Sequence, residues 1–364
     1  MLNLHRYKVL VSVQKSDIMK YNVSSKDNQK GRDGLMKKTS QPTMKDVARE
    51  AGVSLGTVSK VINHVSVGDA YQKRVEAAIE KLGYQVNNYA RGLKTNKTYC
   101  IALLMPSLKH PFFAVLTDAL TESLMHHHYR ALLMITNYDP EAEKKCFLLG
   151  QQNKVDGVIA LTYHPNLAEI DDSTPIVTFD RHLPGRIPCV SSDNYRGGEL
   201  AAEKLIEFGC RKLLFLGTGT EILGETDKRE SGFENACRKA GVEYQRLSLR
   251  LGDSEEPLLQ YLESEIRNGK LPFDGIFCKT DWVAVRVRNY LEQKKIRVPE
   301  DVQIIGYDGV PDYNSGALPC STIVQPIPLM AETAVNLILN VGDSSAPVNI
   351  CLPVQFASGG TTHK

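Results

Sequence analysis

Four aspartates between residues 180 and 308 each follow a short apolar run with strand character: Asp180 after Ile176–Phe179, Asp193 after Val190-Ser191-Ser192, Asp281 after Ile276-Phe277-Cys278, and Asp308 after Ile304-Ile305-Gly306-Tyr307. Ligands of open α/β sheets bind beyond the carboxyl ends of the strands, so side chains at these positions can reach a bound molecule. A carboxylate there accepts paired hydrogen bonds from hydroxyls, Arg229 can donate several, and the face of Phe112 can stack on the C–H face of a sugar ring. The same acids can instead cap the helices that follow, a role expected above all of Asp193 and Asp281. Acid–base attack on a sugar is the rival chemistry, but the acids come from different strands with no evident division into acid and base.

Other catalytic patterns fail on context. Gly52-Val53-Ser54-Leu55-Gly56 has the letters of a hydrolase nucleophile elbow, which joins a strand to a helix; here both flanks are helical and Ser54 suits a helix N-cap. Gly217-Thr218-Gly219 lacks the third glycine of a dinucleotide loop, with Ile222 in its place, and no Gly-Lys-Ser/Thr occurs, so no cofactor is expected. His126-His127-His128 point three ways on a helix with no partner pair at i, i+4, and no metal is expected. Eight well-separated cysteines without a C-x-x-C, no secretory run, and no apolar stretch long enough to span a bilayer predict reduced thiols in a cytoplasmic, nucleoid-associated protein with no membrane partner.

The elements that must hold these residues alternate. Tyr99–Met105, Arg130–Asn137, Val155–Leu161, Ile176–Phe179, Lys212–Gly217, Gly275–Cys278, Val302–Tyr307 and Thr322–Val324 read as strands with helices between, one starting near Pro111 and one ending near Asn153. This predicts parallel sheets covered on both faces. Roughly 260 residues from Thr98 onward exceed one doubly wound domain, so two are expected.

The stretch from Thr43 to Lys94 has a different character: three short helices, a helix-turn-helix among them, running into a hinge. Thr43 and Asp46 form a capping box for the first, whose apolar face is Val47, Ala48 and Ala51. Gly52 and Val53 turn, and Ser54 caps a second helix from about Leu55 to Asn63 with Val58, Val61 and Ile62 inward. A third is expected after Asp69, with Gln72 in the capping-box position, Val75, Ala78, Ile79 and Leu82 buried, and a stop at Gly83. Residues 36–97 carry eleven Lys/Arg against five Asp/Glu and residues 1–35 seven against three, so of the chain's 44 and 42 the remainder holds 26 against 34. A basic head on an acidic body is the footprint of a protein that meets phosphate with one end. It argues for DNA binding and against a solute-binding protein that works without DNA.

Met44-Lys45-Asp46-Val47-Ala48-Arg49-Glu50-Ala51-Gly52-Val53-Ser54, followed by Thr57-Val58-Ser59-Lys60-Val61-Ile62-Asn63, resembles the DNA-binding head of the lactose-repressor (LacI/GalR) family. Leu82-Gly83-Tyr84 and Asn87-x-x-Ala90-Arg91-x-Leu93 resemble the end of its third helix and its hinge helix, and the likeness runs to within a few residues of the C-terminus. Val86 stands where the family usually has proline, and Lys279-Thr280-Asp281 where it often has Ala-Asn-Asp. The resemblance implies a small all-α helix-turn-helix head with a hinge helix, then an α/β body of two doubly wound subdomains of the periplasmic-binding-protein type I fold. The expected boundaries are a disordered extension over 1–42, the head over 43–86, the hinge over 87–97 and the body over 98–360. Within the body, one subdomain spans about 98–193 plus 326–350 and the other 194–325 plus 351–360. The extension has no counterpart in the family; Lys30-Gly31-Arg32 can be encoded by a ribosome-binding-site-like stretch, so translation is expected to start at Met36.

The resemblance also implies roles. Leu55, Gly56 and Lys60 fall where the family reads base edges, Lys60 donating to guanine and Leu55 touching a thymine methyl, while Thr57, Ser59 and Asn63 can bind phosphates and Ser54 completes the DNA-binding set. Asn87, Ala90, Arg91 and Leu93 belong to a hinge helix too short to be stable alone, whose paired Leu93 side chains wedge into the minor groove. Phe112, Asp180, Arg229 and Asp308 fall on effector-contacting positions, and Asp193 and Thr280 are grouped with them. The implied function is a transcription regulator, a repressor, acting as a homodimer on a pseudo-palindromic double-stranded DNA operator and controlled allosterically by a small-molecule effector, expected to be a carbohydrate.

Overall fold

The computed structural model describes residues 42–62, 65–84, 97–152, 155–162, 174–183, 187–219, 224–250, 256–340 and 349–363. Asn63, the hinge positions Asn87, Ala90, Arg91 and Leu93, and the expected N-terminal extension up to residue 41, with its start at Met36, lie outside them. The chain divides into two compact units, Met1–Val86 and Asn87–Lys364.

The first unit holds α1 (Met44–Ala51), α2 (Leu55–Ile62) and α3 (Asp69–Leu82). The Thr43 hydroxyl accepts from the Asp46 amide while the Asp46 carboxylate accepts from the Thr43 amide at 2.9 Å, a reciprocal capping box. Gly52, in the left-handed region at φ 61°, ends α1. Ser54 Oγ accepts from the Thr57 amide at 3.1 Å, which starts α2. Val47, Ala48, Ala51, Val58, Val75, Ala78 and Tyr84 form the core. The start of α3 departs from expectation: Gly68 occupies the cap position without a side-chain bond, Asp69 is already helical, and Gln72 donates to Glu76 at 2.9 Å instead of returning to the helix start. Starting one residue early, the helix places Asp69 in its first turn, where a carboxylate favours the helix dipole.

In the second unit the first half supplies β1 (Cys100–Met105), α4 (Pro111–His126), β2 (Arg130–Ile135), α5 (Pro140–Gln152), β3 (Gly157–Ala160), β4 (Ile176–Phe179) and β5 (Cys189–Ser192). The second half supplies α6 (Asn194–Glu207), β6 (Lys212–Gly219), α7 (Lys228–Ala240), β7 (Glu243–Arg250), α8 (Glu256–Glu265), β8 (Gly275–Cys278), α9 (Asp281–Gln293), β9 (Gln303–Asp308) and β10 (Ser321–Val324). The chain then returns to the first half through α10 (Ile327–Leu339) and β11 (Asn349–Leu352), and to the second through β12 (Gln355–Ala357). The sheets run β11-β5-β4-β3-β1-β2 and β12-β10-β9-β8-β6-β7. Every pair is parallel except β10 with β12. Interior strands such as Gly-Ile-Phe-Cys of β8 are buried at every residue, because helices cover both faces.

Two details differ from the sequence reading. β11 pairs with β5 through Leu352, so the last crossing falls after Leu352 rather than after residue 350. β7 was not expected at all; it is the edge strand of its sheet, with Glu243, Gln245, Arg246 and Ser248 exposed and Tyr244, Leu247 and Leu249 against the cores. All eight cysteines are unpaired, five of them buried. Among the described residues no helix is long and apolar enough to cross a membrane, and no group of His, Cys, Asp and Glu has a metal-binding arrangement.

Candidate functional site

Residues beyond the C-terminal ends of β1 to β4, from the first half, and of β6, β8 and β9, from the second, line one cavity of about 360 Å³. Phe112, Asp180, Arg229, Thr280 and Asp308 all lie in its wall. Arg229, in the first turn of α7 and 3% exposed, organises the second half: Nε donates to Asn194 Oδ1 at 2.7 Å and Nη1 to the Lys279 carbonyl at 2.7 Å. Its guanidinium lies 3.6 Å over the Tyr307 ring and 3.7 Å from the Asp308 carboxylate. Asn194 carries the connection across to the first half, donating to Asp180 at 3.2 Å, and Gln325 donates to Asp308 at 2.8 Å. At the rim, Glu225 of the second half donates its amide to the Asp180 carbonyl at 3.0 Å and its carboxylate meets His182 of the first at 2.7 Å.

Asp180 at φ 53°, Tyr138 at φ 61° and Asp308 at φ 125° all line the cavity in a backbone region that L-residues rarely adopt. Such strain concentrates where a fold positions groups for binding. Burial pushes Asp180 up to about 6 against the pull of Arg229 and Asn194, and pushes Asp308 well above the carboxylate range against the pull of Arg229. Ionised, Asp180 accepts hydroxyl hydrogen bonds on both oxygens, whereas protonation turns one oxygen into a donor and leaves a weaker acceptor. Affinity for a ligand whose hydroxyls bond to it should therefore fall as pH is lowered through 6, by at most about tenfold per unit below that point, as calorimetric titration between pH 8 and 5 would measure. On the empty protein the same shift acts the other way: folded Asp180 binds its proton more tightly than the unfolded chain, so its contribution favours folding below 3.8 and is lost as pH rises to about 6.

The remaining expected residues go elsewhere. Asp193 is not in the cavity wall; its carboxylate accepts the Arg196 amide at 2.9 Å and caps α6. Asp281 is buried as a hub, accepting from the Gly309 amide at 2.8 Å, the Val310 amide and the Thr322 hydroxyl. Thr280 caps α9 through the Val283 amide at 3.3 Å while lining the cavity. Sequence reasoning gave no binding role to His110, Arg181, Lys279 or Trp282, which also line it. Lys279 donates to Asp227 at 2.8 Å and to the Thr218 carbonyl, and burial lowers its pKa. The available signal was position, since His110 and Trp282 each stand at the start of a helix that follows a strand.

On α2 only Val58 is fully buried, and Leu55, Gly56 and Lys60 are exposed on the outer face. Thr57 and Ser59 are half-buried, and the Ser54 and Thr57 hydroxyls are 2.9 Å apart. Leu55 is 42% exposed, an apolar side chain on the surface of a helix whose inner face is already filled. Residues 43–87 match the family model for bacterial regulatory proteins of the lacI family, and residues 98–339 that for periplasmic binding proteins and the sugar binding domain of the LacI family.

The chain belongs to the LacI family. Within it, the ribose operon repressor of Bacillus subtilis is 35% identical over 330 residues, covering 88% of this chain and 99% of that protein. The sucrose operon repressor of Streptococcus mutans is 32% identical over 317 residues, covering 86% and 97%. A periplasmic binding protein/LacI transcriptional regulator from Alkaliphilus metalliredigens, solved with D-xylulofuranose, has a TM-score of 0.63 and 30% identity over 73% of this chain and 100% of that one. As a LacI-family member the chain is a DNA-binding transcription regulator with an effector-binding body, in a family of regulators rather than enzymes.

Proposed function

We propose that the protein is a cytoplasmic, homodimeric repressor whose grip on a pseudo-palindromic operator is set by a carbohydrate in the 360 Å³ cavity. The observation that carries the effector reading is the convergence of Asp180 and Asp308 as hydroxyl acceptors, Arg229 as donor, and Phe112 as an apolar face on that one cavity. Thr280 adds a hydroxyl, whereas Asp193, occupied at its helix cap, has no part. Because relatives are named for ribose and sucrose operons, these sugars, with D-fructose, D-xylulose and cellobiose, are the first probes. Calorimetry should find one that binds once per chain, and binding by none of them would remove the carbohydrate reading.

In the head, Lys60 and Leu55 reach base edges, Gly56 lets the backbone approach, and Thr57 and Ser59 fix register on phosphates beside the cap residue Ser54. Lys60→Ala should cost about 1–3 kcal/mol of discrimination between operator and scrambled DNA, with a smaller loss of non-specific binding. Competition titrations at several salt concentrations measure it; an unchanged specificity ratio would take Lys60 out of the readout. Asn63 and the hinge residues Asn87, Ala90, Arg91 and Leu93 complete the proposed DNA-binding set. A coupling between sugar and operator of about 1–3 kcal/mol would shift DNA affinity roughly 5- to 150-fold.

A further inference from the structure

Trp282 is the only tryptophan of the chain, and it lies in the first turn of α9 in the wall of the effector cavity. It remains 41% exposed. Its ring is 6.3 Å from that of His110, tilted by 41°, and His110 packs on Phe113 at 5.0 Å. His110 heads α4 in the first half, so this contact bridges the two halves at the cavity. Nδ1 of His110 is buried without a hydrogen-bond partner among the described residues. Burial, with Arg229 nearby, pushes the imidazole down to about 4, so at neutral pH it is uncharged and offers one donor and one acceptor. A ring laid on the indole would cover apolar surface now in water.

We propose that Trp282 is a ligand-contacting residue that determines effector affinity: the wall from the second half on which a hydroxylated ring lays its apolar C–H face, beside the unpaired Nδ1 of His110. Phe112 and Phe113 line the same cavity from the first half, so a ring held there touches aromatic side chains of both halves. Its occupancy then favours the closed arrangement in which Trp282 and His110 meet. The inference rests on the carbohydrate reading above and deepens it.

The test uses full-length protein with D-ribose, sucrose, D-fructose, D-xylulose and cellobiose, followed by calorimetry and by tryptophan emission in the same samples. With a single tryptophan, any emission change reports on position 282. The sugar that binds should shift the emission; Trp282→Ala should weaken that sugar by roughly tenfold or more, and Trp282→Phe should restore most of the loss. Trp282→Phe keeps an aromatic ring facing His110, so its thermal unfolding should stay near the parent's, which separates lost sugar contact from lost stability in Trp282→Ala. Sugar binding that stays within about twofold in Trp282→Ala overturns this inference alone; no binding of any of these sugars to the parent protein overturns the carbohydrate reading along with it.

Discussion

Arg229→Ala is expected to reduce effector affinity by about 100-fold or more and to destabilise the effector-binding unit by about 3–5 kcal/mol. The guanidinium is buried, bonded to Asn194 and to the Lys279 carbonyl at 2.7 Å each, and set against Asp308 at 3.7 Å. Removing it leaves the buried Asp308 carboxylate without its cation, drives Asp180 and Asp308 further toward the protonated form, and frees Asn194 from the geometry that presents it to Asp180. Lysine is not an adequate replacement, because one ammonium cannot reproduce the planar fork that spans Asn194 and Lys279 while lying flat on Tyr307. Urea unfolding and calorimetry on Arg229→Ala and Arg229→Lys measure the two effects. Sugar affinity within threefold of the parent in both variants would mean that the cavity does not bind the effector through this network.

Gly198→Val should damage both stability and the site although Gly198 itself does not line the cavity. A Cβ at Gly198 would stand 1.9 Å from the Arg229 carbonyl oxygen, and one at Gly232 2.0 Å from the Tyr195 carbonyl oxygen. α6 and α7 therefore cross with backbone against backbone, and any side chain at the crossing must push α7 outward. Overpacking of this kind costs about 1–3 kcal/mol, and valine, bulkier than alanine, should lie at or above the upper end. Because Arg229 is the very residue displaced, sugar affinity should fall together with stability, with Gly198→Ala intermediate in both. Denaturation and calorimetry on the pair check the order; a Gly198→Val protein as stable as the parent would contradict the close crossing.

The cavity-lining acids Asp180 and Asp308 were legible because strand ends in a doubly wound sheet are recognisable from the apolar run that precedes them. The same signature marked Asp193 and Asp281, whose carboxylates serve the structure. For Asp193 the acceptor role is local and a cap was foreseeable, whereas Asp281 accepts from Gly309 and Val310, 28 and 29 residues along the chain. Local pattern cannot see such a partner. His110 and Trp282 escaped notice for a related reason, since each is ordinary until the two halves are set face to face across the cavity. β7 was overlooked because its polar alternation, Glu-Tyr-Gln-Arg-Leu-Ser-Leu-Arg, lacks the continuous apolar run by which buried parallel strands announce themselves. In the head, the caps at Thr43 and Ser54 and the stops at Gly52 and Gly83 were readable residue by residue, and only the start of α3 slipped, by a single position.

Effector-controlled, sequence-specific DNA binding is tested most directly by fluorescence anisotropy of the full-length protein on DNA from upstream of its own gene and on a scrambled control, over several salt concentrations, with and without the sugar that calorimetry identifies. The account predicts tighter binding to the native fragment that survives moderate salt, an affinity changed roughly 5- to 150-fold by the sugar, and no such change in Arg229→Ala. Equal, steeply salt-sensitive binding to both fragments, unaltered by the sugar, would contradict it.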